Sequence, residues 1–187
     1  MELVPGRNCG ECTVCCTVHT FDSPEFQKLP GVTCSHLRAG GGGCAIHATR
    51  YPACRAYHCA WRFMPGLGEG WRPDRSQVLV DFQSEDLPPQ YPKRPGVRLT
   101  LVGPREAVFH PAFLDFVAQL VMNDVPSFLA IPGPPGHFPV SGFLNDALKD
   151  AAMARDFPQI QAFFSQVLAA LEGHVFNPVT LRHGTAS

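Results

Sequence analysis

The stretch NCGECTVCC, residues 8–16, packs Cys9, Cys12, Cys15 and Cys16 into eight positions. How these thiols are accommodated decides how the first third of the chain folds. A C-x-x-C-x-x-C spacing sets successive sulfurs about a turn apart on a curled loop or helix start, so several can face one centre. Thiolates converge only where a cation neutralises them. Zinc takes four ligands at about 2.3 Å, usually as two separated pairs, whereas a cubane iron-sulfur cluster takes three from one such run and a fourth from elsewhere. The run itself favours iron. The later cysteines with His19, His36, His47 and His58 could instead complete one or two tetrahedral zinc sites, so both metals stay open.

The other four cysteines are Cys34, Cys44, Cys54 and Cys59, and the 128 residues after Cys59 contain none. From Thr33 to Arg62 the chain is poor in apolar periodicity and rich in Gly, Cys, His and Arg. Ligand bonds would have to supply the stability that packing cannot. The N-terminal MELVPGRN has no apolar stretch before a cleavage site, and the apolar FLDFVAQLVM (113–122) is broken by Asp115 and Gln119, so a cytoplasmic protein is expected. In a reducing compartment, clustered cysteines read as metal or redox chemistry and not as a disulfide framework. Arg38, Arg50, Arg55, Arg62, Arg72 and Arg75 face only Glu69 and Asp74 over residues 38–75. This local positive excess suits a negatively charged metal-thiolate centre or plain surface solubility.

CGECTVCC (9–16), then TCSHL (33–37) and GGCAIHATRYPACRAYHC (42–59), resembles the YkgJ-like cysteine-cluster family of zinc- or iron-chelating domains, with its C-x-x-C-x-x-C-C start. The likeness spans residues 9–62. It implies metal chelation, with Cys9, Cys12, Cys15, Cys16, Cys34, Cys44 and Cys54 as the ligand candidates, and it implies no particular reaction. His47 stands where the family has an aromatic residue, and Tyr51 separates Arg50 from Pro52 where the family has an Arg-Pro pair. Cys59 falls outside the common motif and joins the ligand candidates on position alone.

With 187 residues and 45% hydrophobic content, one domain is expected. Lys and Arg total 15 against 16 acids, which gives no electrostatic footprint for nucleic acid or a membrane surface. Residues 78–82 and 97–101 read as strands. The intervening QSEDLPPQYPKRPG, with Pro88, Pro89, Pro92 and Pro95, reads as a surface connection. An amphipathic helix is expected over 111–122, a third strand over 127–131, and a Pro/Gly loop at PGPPGHFP (132–139). A second helix should begin near Ser141. A third should be capped by Asp156, carry Pro158 in its first turn and end at Gly173. The expected class is α+β: a small irregular cysteine-rich, metal-bound segment (9–62) with a short antiparallel sheet, packed on about three C-terminal helices in 76–187.

AGGGGC (39–44) lacks the Lys-Ser/Thr of a phosphate loop and reads as a hinge presenting Cys44. No G-x-G-x-x-G follows a strand, so no dinucleotide site is expected. The vicinal Cys15-Cys16 pair suits a redox switch or a trap for soft metals. Trp61 and Trp71 either cover the metal site or are ordinary half-buried aromatics. His110, His137, His174 and His183 read as capping or solvated. Two functions compete. One is metal binding (zinc, iron or an iron-sulfur cluster) without catalysis; the other is an iron-sulfur or thiol-dependent oxidoreductase whose substrate pocket is bordered by the Pro/Gly loops. A third reading is an adaptor whose helical half binds a protein partner.

Overall fold

The computed structural model describes residues 2–91 and 95–182; Pro92 and His183 lie outside these. The N-terminal part is built from pieces of five residues or fewer: α1 Val14–Val18, the hairpin β1 Phe21–Ser23 and β2 Phe26–Lys28, α2 Pro52–Ala56, α3 Ala60–Phe63 and α4 Pro73–Ser76. Elements this short cannot hold themselves, because helix nucleation is costly and a lone two-stranded hairpin is marginal. Local side chains do part of the work. Ser23 Oγ accepts from the Phe26 N–H at 3.1 Å and closes the hairpin, and proline opens α2 and α4 where its missing N–H has no cost.

The rest is a four-stranded sheet with helices. β3 Val78–Gln83 pairs antiparallel with β4 Gly96–Leu101, β4 pairs parallel with β5 Ser127–Ile131, and β5 pairs antiparallel with β6 Val140–Phe143. The helices are α5 Pro111–Met122, α6 Asn145–Ala154 and α7 Phe157–Glu172. The chain is α+β with its long helices C-terminal. The sheet is mixed and not antiparallel throughout, because α5 carries the chain across from the end of β4 to the start of β5, and such a crossover leaves the two strands pointing the same way. The helix expected near Ser141 starts only at Asn145. Residues 140–143 extend β5's edge as β6 instead, and buried Asn145 fixes the change of direction by accepting from the Ser127 N–H and donating to the Val125 carbonyl, both at 2.8 Å. α7 follows its signals: Asp156 Oδ1 accepts from the Gln159 N–H at 3.0 Å, and Gly173 stands at the C-cap.

One apolar cluster joins Val80, Leu99 and Leu129 of the sheet to Val117, Leu148, Phe164 and Leu168 of the helices. Ala60, Trp61 and Leu67 belong to the same cluster, so α3 docks the cysteine-rich part on the sheet. Arg7 clamps that joint: its guanidinium lies 5.2 Å over the Trp61 ring and donates to the Trp61, Met64 and Leu67 carbonyls. Trp71 packs on Phe116, with ring centroids 4.7 Å apart. His110 caps α5, its Nδ1 accepting from the Ala112 N–H. Among the described residues no helix is long and apolar enough to cross a membrane.

Candidate metal centre

All eight cysteines line one cavity of about 70 Å³ in the N-terminal part. None is joined in a disulfide. The backbone explains how distant segments arrive there. At Cys9, Cys34, Cys44 and Cys59 the carbonyl accepts from the N–H three residues on, at 2.9, 3.1, 3.3 and 2.9 Å, so the chain turns immediately after each of these cysteines. The backbone N–H groups of Val14 and Asp74 favour the Cys12 thiolate, and that of Arg62 favours the Cys59 thiolate. The Cys34 N–H donates to the Cys16 carbonyl at 3.0 Å. Gly43, at φ +81, lies so close to the Cys9–Cys12 loop that a Cβ there would stand 2.9 Å from the Gly10 carbonyl oxygen. Only glycine lets the Cys44 segment seat against that loop.

The thiols influence one another unevenly. Cys12 and Cys59 feel Cys9, and Cys59 also feels Cys12. Cys54 feels Cys34, Cys16 and Cys44. Cys15 feels Cys16 most strongly, and then Cys9 and Cys12, so it stands between the two neighbourhoods. They meet at the vicinal pair. There the coupling of the two adjacent thiols holds Cys15 well above the ordinary thiol range and brings Cys16 down to about 7, with Lys28 and Arg50 helping against burial. Burial raises Cys12 and Cys54 and pushes Cys59 up to about 11.

The cavity lining contains Lys28, Arg50, Arg62 and Arg72 and no aspartate or glutamate. Arg62 Nη1 donates to Cys9 Sγ at 3.8 Å, and its buried Nε has no hydrogen-bond partner. Lys28 is 6% exposed and donates to the Thr17, His19 and Leu29 carbonyls; burial lowers its pKa, while Cys34, Cys16, Cys15 and Cys54 oppose that shift. Arg72 is split between the cavity and Asp74, bonded at 2.7 Å. A buried cation such as Lys28 needs a counter-charge; Asp74 answers Arg72 and interacts with the Cys12 thiol from behind the lining, while sulfur is what the lining offers to Lys28, Arg50 and Arg62. The donor set thus fits a soft or borderline metal such as zinc or iron. Among the described residues, no three His, Cys, Asp or Glu side chains are arranged to hold a metal ion as they stand.

His36, His47 and His58 line the cavity; burial lowers the pKa of the last two. His19 does not line it, and its Nε2 lies 3.6 Å from Asp81 Oδ2. Trp61 borders the cavity, and Trp71 does not. Of the six arginines in the positive stretch, Arg38, Arg55 and Arg75 stay off the lining. Lys28 escaped the sequence reading: a single lysine in FQKLPG gives no local sign that three carbonyls will enclose it. No protein-family model, curated protein or solved structure matches this chain, so the site is read from its own residues.

The coupling of the vicinal pair predicts a reactivity order. In metal-free, reduced protein, iodoacetamide should alkylate Cys16 first, at a rate that is half-maximal near pH 7 and levels about one pH unit above it. Peptide mapping at several pH values reads this; a rise delayed to the pH of an ordinary thiol would contradict it.

Proposed function

We propose that this chain is a cytosolic metal-binding protein whose cysteines form two sets of four, Cys9, Cys12, Cys15 and Cys59 in one and Cys16, Cys34, Cys44 and Cys54 in the other, each holding zinc or iron. The observation that carries the reading is one cavity lined by all eight thiols and four cations, with no carboxylate among its lining residues. Four thiolates on a divalent ion leave two negative charges. Lys28 and Arg50 stand by one set, and Arg62 and Arg72 by the other, as such centres require. Cys9, Cys12 and Cys15 come from one C-x-x-C-x-x-C run and Cys59 from elsewhere, the donor pattern that also suits an iron-sulfur cubane. The second set draws each thiol from a different segment, and its four sulfurs suit a closed four-coordinate site without the paired spacing usual for zinc. The likeness of residues 9–62 to the YkgJ-like motif points the same way. When bound, the metal supplies cross-links between turns that cannot pack alone. Arg62 and Lys28 offset its thiolate charge, and Trp61 and Tyr57 shield it from solvent. No nucleic-acid or membrane partner is part of this reading.

The test is anaerobic purification followed by measurement of zinc, iron and acid-labile sulfide and a visible spectrum. Two zinc ions per chain with no colour, or a brown protein with iron and sulfide, would support the proposal and name the metal. A folded, metal-free protein from metal-replete cells would overturn it.

A further inference from the structure

A second cleft, of about 540 Å³, lies on the other side of Tyr57, between β3, β4 and the two proline-rich loops. It contains an unusual concentration of unanswered polar chemistry. Of the five buried side-chain nitrogen and oxygen atoms without a hydrogen-bond partner among the described residues, four line it: His19 Nε2, Asp81 Oδ2, Gln83 Oε1 and Arg98 Nε. Such atoms are rare in folded proteins. Asp81 is the anchor. It is 5% exposed, its Oδ1 accepts from the Tyr57 hydroxyl, and its Oδ2 has His19 Nε2 at 3.6 Å and Arg98 Nη2 at 3.9 Å, both beyond hydrogen-bond reach. A carboxylate and a guanidinium thus stand side by side in a concave site, each with an atom left to bond.

The signs of these atoms define what would satisfy them. Asp81 Oδ2 and Gln83 Oε1 are acceptors, and His19 Nε2 is a third when the ring is neutral with its proton on Nδ1. Burial lowers the His19 pKa, with Asp81 opposing, which favours the neutral ring. A primary ammonium brings three N–H donors to three acceptors. Arg98 Nε is a donor and calls for an acceptor with negative charge on the same small molecule. At the rim Glu85 and Asp86 are exposed and acidic, and Phe138 is half exposed. That rim disfavours a third, acidic group on the ligand and offers an apolar face to a side chain.

We propose that this cleft binds a small non-acidic α-amino acid, its ammonium held by Asp81, Gln83 and His19 and its carboxylate by Arg98. The site does not rest on the metal-binding reading, although the Tyr57 ring lines the cysteine cavity while its hydroxyl anchors Asp81, so the two sites share a wall.

The test is titration of isotope-labelled protein, with metal content measured on the same samples, followed by NMR shifts of the amides in 81–86 and 98–100. The probes are L-alanine, N-acetyl-L-alanine (no ammonium), L-alaninamide (no carboxylate) and L-aspartate. L-alanine should give saturable shifts at about 10 mM, enough to register a Kd of millimolar order, and the other three should bind at least about tenfold more weakly, since each loses or adds one charge. D81N keeps the carbonyl that accepts from Tyr57 and should weaken L-alanine binding about tenfold or more. The rim double variant E85Q/D86Q, at exposed positions, should admit L-aspartate, which keeps the test decisive if D81N misfolds; continued exclusion of L-aspartate would count against the site. No saturable shift with L-alanine, equal binding of the capped probes, or unchanged binding by D81N would overturn the proposal whatever the metal content.

Discussion

Cys12→Ser is expected to halve the metal bound per chain, Cys44→Ser to halve it from the other side, and the double variant to abolish it. In the proposed division Cys12 belongs with Cys9, Cys15 and Cys59, while Cys44 belongs with Cys16, Cys34 and Cys54. A single pooled site would respond differently, since either substitution would then remove everything. The stability effect should be large. Structural zinc contributes on the order of 10–16 kcal/mol of apparent binding free energy in small zinc peptides, comparable to the whole stability of an ordinary domain, about 5–15 kcal/mol. The N-terminal pieces have little else. Within α1 and α2 no residue is buried, and β1 and β2 contribute one buried residue, the charged Lys28. Hydrogen exchange should therefore show protection falling across residues 9–56 in each single variant and on chelation. Metal analysis giving full occupancy in both single variants would remove Cys12 and Cys44 from the ligand set.

The C-terminal half was legible because its signals are local. α7 announces itself with Asp156, Pro158, a stripe from Ile160 to Leu171 and Gly173, all within the helix's own length. The strand pattern at 78–82 and 97–101 holds for the same reason. β6 was not legible, because Phe143 and Leu144 suit a helix stripe as well as a strand end, and pairing with β5 decides between them. The parallel β4–β5 pair depends on where α5 sends the chain, which no two-residue alternation records. At the candidate site, the eight cysteines are plain in the sequence, yet their division is not. The proposed division falls within the contiguous CTVCC run, between Cys15 and Cys16, where no spacing rule marks it. The second cleft was hidden altogether. Asp81 reads as the polar position of an alternating strand, and its burial is set by Tyr57, 24 residues earlier, and by His19.

Phe164→Ala tests whether the two halves stand on separate supports. Phe164 is fully buried, meets Phe113 edge-on with ring centroids 5.5 Å apart, and sits where α7 crosses the helical layer. Truncating a buried phenylalanine costs about 3–5 kcal/mol, through lost transfer energy and the cavity left behind. That is a large share of a domain's stability, so thermal unfolding followed by far-UV circular dichroism should shift down by many degrees. The proposed metal ligands lie elsewhere, so at low temperature the folded variant should keep the wild-type metal content. The two perturbations meet only through Ala60, Trp61 and Leu67, which pack into the core that Phe164 fills. If that joint transmits stability, chelation and Phe164→Ala will couple in a double cycle, with an interaction energy above the about 0.5 kcal/mol expected of independent sites. If the effects simply add, the cysteine part is held by its metal alone. Loss of bound metal in Phe164→Ala under folding conditions would contradict this division, because it would make the core, and not the thiols, the support of the N-terminal third.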